Sequence, residues 1–175
     1  MTLPMMLPWK AGLESQFVAA LDMLENAIRA CPEALWDDAG TPVPQGFWYL
    51  AYHTLFWLDY YLSERAEGFT PPAPFTLDEL DPAGVYPERP YARSELLAYL
   101  AHGRDKLRGV LLSLDEAHAA EKCAFGSRKM SVFELHLYAM RHVQHHTAQL
   151  NLLLRQRTDS APRWVGRGRL AQGDE

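Results

Sequence analysis

The residues best equipped for chemistry are His142, His145 and His146, inside a long apolar run from Met130 to Arg157. Two imidazoles four residues apart on a helix stand one turn apart on the same face and can grip one metal ion. Which two face inward is a question of angle. Each helical residue advances about 100°, so with His142 at zero His146 lies at about 40° and His145 at about 300°. Val132, Leu135, Ala139, Val143, Leu150 and Leu153 all fall between about 20° and 100°, which makes that arc the buried stripe. His146 sits within the stripe and His142 on its edge. His145 falls on the polar side with Glu134 and Arg141. The inward pair is therefore His142 and His146. His136, about 120° from His142, lies off the ligand line.

A third ligand must come from another element. The stretch from residue 46 to 67 predicts a helix that is apolar nearly all round, so it is buried on more than one side. Leu50, Thr54, Trp57, Leu58 and Tyr61 form one stripe, assigned to the core. Tyr49, Phe56 and Tyr60 form a second, which reads as a dimer interface or pocket wall in preference to a face covered by a loop of the same chain. His53 lies between the two stripes and is the candidate third ligand. Each ligand imidazole needs an acceptor for its outer N–H, for which Glu64, Asp59 and Tyr138 are candidates. Gln149, one turn beyond His146 on the His142 face, could bond a ligand or substrate. His102 and His118 read as solvated.

Two more helices complete the frame. Residues 8–30 carry Leu13, Phe17, Leu21, Leu24 and Ile28 at helical spacing, ending where Pro32 disfavours helix in Cys31. Residues 92–114 carry Leu96, Leu100, Leu107, Leu111 and Leu114. The last helix starts at Ser131 with Glu134 three positions on, a capping box, and runs to about Arg157. Residues 68–90 hold six prolines, too many for a regular helix. That long connection packs on the bundle and lets helices two and three run parallel. Residues 123–130 read as a loop. The prediction is an all-α four-helix bundle with a long crossover between helices 2 and 3. One domain spans residues 1–165, and residues 166–175 form a flexible tail.

Composition narrows the function. The chain has 175 residues, 48% of them hydrophobic, enough for one real core. A net charge of -5 argues against nucleic-acid binding. Cys31 and Cys123 have no zinc or redox spacing, which fits a reduced, cytoplasmic setting. Neither a good signal peptide nor an apolar run of membrane-spanning length is present.

The chain resembles the DinB-like (YfiT-type) superfamily of bacterial four-helix-bundle proteins over residues 9–157. Two features carry the likeness. One is Leu50-Ala51-Tyr52-His53 in an aromatic-rich second helix. The other is His142-Val143-Gln144-His145-His146-Thr147-Ala148-Gln149. The resemblance implies a divalent metal held by His53, His142 and His146, with zinc or nickel ahead of iron or manganese. It also implies a transferase using a low-molecular-weight bacterial thiol; a hydrolase and a non-catalytic metal- or small-molecule-binding dimer are the alternatives. The sequence departs from the commonest family form at Thr147-Ala148, where many members have Arg-Gly.

Overall fold

The computed structural model describes residues 8–42, 45–125 and 128–170. Four long helices carry the core: α1 (Pro8–Ala30), α3 (Phe47–Leu62), α4 (Arg93–Ser113) and α6 (Val132–Thr158). Two short ones, α2 (Glu33–Trp36) and α5 (Glu116–Ala120), finish connections. The all-α bundle expected from the apolar periodicities is the architecture observed, and the predicted start and end of α1 match.

Side-chain pairs give the direction of each helix. Trp9 meets Phe133 and Gln144 meets Met23, so α1 and α6 run parallel. Tyr61 packs on Tyr138 while His53 packs on His146, so α3 opposes α6. Lys10 Nζ donates to the Leu114 carbonyl and Arg104 pairs with Asp22, so α4 opposes α1. Near the starts of α3 and α4 Tyr52 meets Tyr91, and further along both Asp59 meets Lys106. These two helices are therefore parallel, as the long crossover of residues 63–92 allows. A helix start at Gly46 is enforced sterically: its φ is 89°, and a Cβ there would lie 3.2 Å from the Asp37 Cα.

Several local expectations change. α3 was expected to reach residue 67 but ends at Leu62, and Glu64 takes a left-handed φ of 59°. Residues 123–125 and 128–130, expected as loop, are strand. Strands β1 (Lys122–Phe125) and β2 (Arg128–Ser131) pair antiparallel, Lys122 opposite Ser131. Strands of four residues are too short to display a period of two convincingly. Ser131 then caps α6 as expected, its Oγ accepting the Glu134 N–H at 3.1 Å.

The Tyr49, Phe56 and Tyr60 face, expected to form a dimer interface or a pocket wall, packs within the chain, and Tyr49 lines a cavity. Phe69 of the crossover packs on Phe56 and Tyr60, Phe125 of β1 on Tyr60, and Tyr86 on Tyr49. The segment expected to be a flexible tail is held for part of its length. Gly168 donates its N–H to the Ser15 carbonyl at 3.0 Å. A Cβ at Gly168 would sit 2.6 Å from Val18 Cγ1, so only glycine permits this approach. Residues 171–175 lie outside the described residues. Among the described residues no helix is long and apolar enough to cross a membrane.

Candidate metal centre

The six stripe residues named from the angular argument are all buried in α6. That burial turns His142 and His146 toward α3, while His145 stays exposed. On α3, the core stripe and the covered aromatic face fix the helix's rotation, and His53 emerges between them toward the α6 pair. Its ring centroid lies 5.3 Å from that of His142 and 4.8 Å from that of His146. One ring nitrogen from each of the three histidines lies within 4.8 Å of the others. Sequence reasoning placed all three, and the fold brings them together.

The outer nitrogens set the tautomers. His146 Nδ1 donates to Gln149 Oε1 at 2.7 Å, leaving its Nε2 lone pair facing inward. His53 Nδ1 donates to Glu79 Oε2 at 2.7 Å, with the same consequence. Trp57 Nε1 donates to that same oxygen at 2.8 Å, and the Tyr49 hydroxyl also donates to this carboxylate. Burial works to raise the Glu79 pKa, but the bonds from His53, Tyr49 and Trp57 outweigh it and hold the carboxyl below its ordinary range. His142 Nε2 and His146 Nε2 face each other at 3.1 Å, while His142 Nδ1 is buried without a partner.

Both members of this pair are neutral. Burial, reinforced by the imidazoles of His146 and His53, pushes His142 down to about 3. Burial likewise pushes His146 down to about 4, against the opposing bond to Gln149. Neutral imidazole is the ligand form of histidine.

The donor set fits a divalent ion. Zinc–nitrogen bonds of about 2.0–2.1 Å in a tetrahedron space their nitrogens about 3.3 Å apart. The two Nε2 atoms of α6 already stand at 3.1 Å. An ion between them would end their competition for one proton, and two of the three outer nitrogens already have acceptors. Above the triad opens a cavity of about 600 Å³, with His53, His146, Glu79, Tyr49, Tyr86 and Gln149 in its wall. Three ligands and an open side are the pattern of a site that takes substrate, since closed structural sites use four.

The outer partners differ from those expected. Gln149 does reach the site, as an acceptor for His146. Glu64 does not serve the ligand histidines. Its two oxygens bond His136 Nε2 at 2.9 Å and His118 Nε2 at 2.7 Å. His118 is thus engaged and not simply solvated. Tyr138 packs edge-on against Tyr61, whose ring in turn meets His142. Asp59 is committed to Lys106 and Tyr99. The acceptor that sequence reasoning missed is Glu79, in the 3₁₀ turn Asp78–Leu80 of the crossover. The spacing from Thr76 to Glu79 is a helix-start pattern that could have flagged the turn, but not where its carboxylate points.

A bundle whose facing helices converge three imidazoles on an open cavity defines a class: a helical protein with a histidine group that could hold one metal ion. The family follows from the sequence itself. The family model described as the DinB superfamily matches residues 16–150, and the chain belongs to that superfamily. No curated protein matches the chain.

Proposed function

We propose that the protein is a divalent-metal-dependent transferase that joins a small thiol to an electrophilic carbon. The observation that carries this reading is the convergence of three imidazole nitrogens at an open cavity whose one lining carboxylate is already committed. A divalent ion held by His53, His142 and His146 supplies Lewis acidity that lowers the pKa of a nearby thiol. Imidazole donors suit zinc or nickel, with iron as a further candidate. The chain's own part is positional. Glu79 and Gln149 hold the outer Nδ1–H groups of His53 and His146, which orients the inner Nε2 atoms, and Tyr49 and Leu50 wall the cavity against the bundle. In the transfer, sulfur forms a bond to carbon and its proton passes to solvent. The leaving group departs with the electron pair of the bond that breaks.

A hydrolase would need a base aimed into the cavity. Glu79 is the one carboxylate among the described lining residues. Its hydrogen-bond donors hold its pKa down, and its second oxygen is sealed from solvent, so it orients His53 and is a poor base. The free thiols of Cys31 and Cys123 fit a reducing compartment, and we assign the activity to the cytoplasm. The test is to incubate the zinc- or nickel-loaded chain with a small thiol and a chromogenic aryl halide. Thiol loss should equal product formed, and both should vanish in His146→Ala. Metal-dependent turnover of an ester with no thiol consumed would replace the transferase by the hydrolase.

A further inference from the structure

The cavity above the triad has an uneven chemistry. No lysine or arginine is among the described residues that line it. Its apolar wall is Pro42, Leu50, Leu152 and Leu153, and its amides are Gln149 and Gln156. Arg157, next in the chain, is paired with Asp38. Seven large hydrophobic side chains are exposed among the described residues, and five of them are Leu77, Leu80, Val85, Tyr86 and Leu152. Tyr86 and Leu152 line the cavity itself, and the other three flank Glu79 and Tyr86 on the crossover. Exposed apolar side chains in the wall of a cavity, here Tyr86 and Leu152, mark a binding surface.

From this we infer that the cavity takes a thiol with an uncharged, apolar body and discriminates against thiols whose body carries a carboxylate. The inference deepens the transferase reading and rests on it for where the sulfur ends. A carboxylate on the body would be drawn from water into a wall that offers leucines, a proline and two amides but no cation. Once a thiolate sits on a divalent ion, it and the Glu79 carboxylate together balance the ion's two positive charges, so no net cation is left to hold the body's carboxylate. An aryl or alkyl body instead buries itself against Leu152, Leu153 and Tyr86.

The experiment compares benzyl mercaptan with 4-(mercaptomethyl)benzoate, which differ by one carboxylate. Each is titrated into the full cobalt(II)-loaded chain, read by the sulfur-to-cobalt absorption band. Benzyl mercaptan should bind at least about tenfold more tightly, the scale expected when a charge is left unpaired on burial. Leu152→Arg, at an exposed position, should keep cobalt stoichiometry and reverse the order. Equal affinities, or tighter binding of the carboxylate in the unaltered chain, would overturn the inference while leaving the metal reading intact. Failure to bind cobalt would instead overturn the metal reading. The two thiols would then be compared by quenching of tryptophan emission in the chain as purified. A preference for benzyl mercaptan there would uphold the apolar cavity, and binding of neither would overturn both.

Discussion

Two histidine clusters lie along the contact between α3 and α6, and they are built in opposite ways. In the triad, His142 and His146 turn their Nε2 atoms toward one another, while Glu79 and Gln149 stand behind the ligand rings on His53 and His146. In the second cluster, His118 and His136 both turn toward Glu64, which stands between them. The same residue types therefore give two outcomes. A carboxylate behind the imidazoles fixes tautomers and leaves lone pairs converging on a cavity. A carboxylate between them engages a ring nitrogen of each and leaves a polar staple joining α5, α6 and the end of α3. Position relative to the carboxylate, and not the count of histidines, separates a ligand set from a brace.

The sharpest way to break that distinction is to remove imidazoles one at a time. His53→Ala, His142→Ala and His146→Ala should each take bound metal from about one ion per chain to none detectable by elemental analysis. His118→Ala, His136→Ala and His145→Ala should keep it. Loss in His136→Ala equal to that in His146→Ala would erase the difference between the clusters. The carboxylates offer the next test. Glu79→Gln should weaken metal binding by about 10–100-fold, measured against a chromophoric chelator, as removal of an outer partner does. Glu64→Gln should leave metal affinity unchanged.

Stability should show the converse. Glu64→Gln removes the charge and leaves one acceptor oxygen where two imidazoles each bond their own, and should cost about 1–3 kcal/mol in urea unfolding. The smallest effect is in its pH dependence. Burial works to raise the Glu64 carboxyl, but the bonds from His136 and His118 hold it below its ordinary 4.5. That contribution is present above 4.5 and is lost as pH falls through the depressed value. The bond to Glu64 raises His118 above its ordinary 6.5, so its contribution is present below 6.5 and lost as pH rises through the raised value. The stability gap between the unaltered chain and Glu64→Gln should therefore be widest between about pH 4.5 and 6.5 and narrow on either side. A gap that grows steadily with pH would contradict the staple.

Much of this was legible in the sequence. The periodicity of Val132, Leu135, Ala139, Val143 and Leu150 fixes the rotation of α6 from purely local information, and with it which two of three clustered histidines face inward. His53 follows because two apolar stripes on one helix leave it between them. What was not legible depends on contacts between segments distant in sequence. Glu79 lies 26 positions from His53, on a proline-rich segment with no period to project. A helix continued to residue 67 makes Glu64 a candidate partner of the ligands; the left-handed turn at that residue instead takes its carboxylate to His136 and His118. His118 looked solvated because a five-residue helix leaves too little pattern to show which side is covered. The covered aromatic face of α3 is the same lesson, since hydrophobicity demands a cover without naming it.

The parallel course of α3 and α4 has a last consequence. It requires a long crossover, and that crossover delivers Glu79 to His53, so an ion bound there would be coupled to the order of residues 63–92. Coupling of this kind is reciprocal: whatever stiffens the crossover tightens the grip on the ion by the same factor by which the ion protects the crossover. Amide exchange along residues 76–86 would then report occupancy of a centre whose ligands all lie elsewhere. Retention of the ion would be governed by a segment that never touches it.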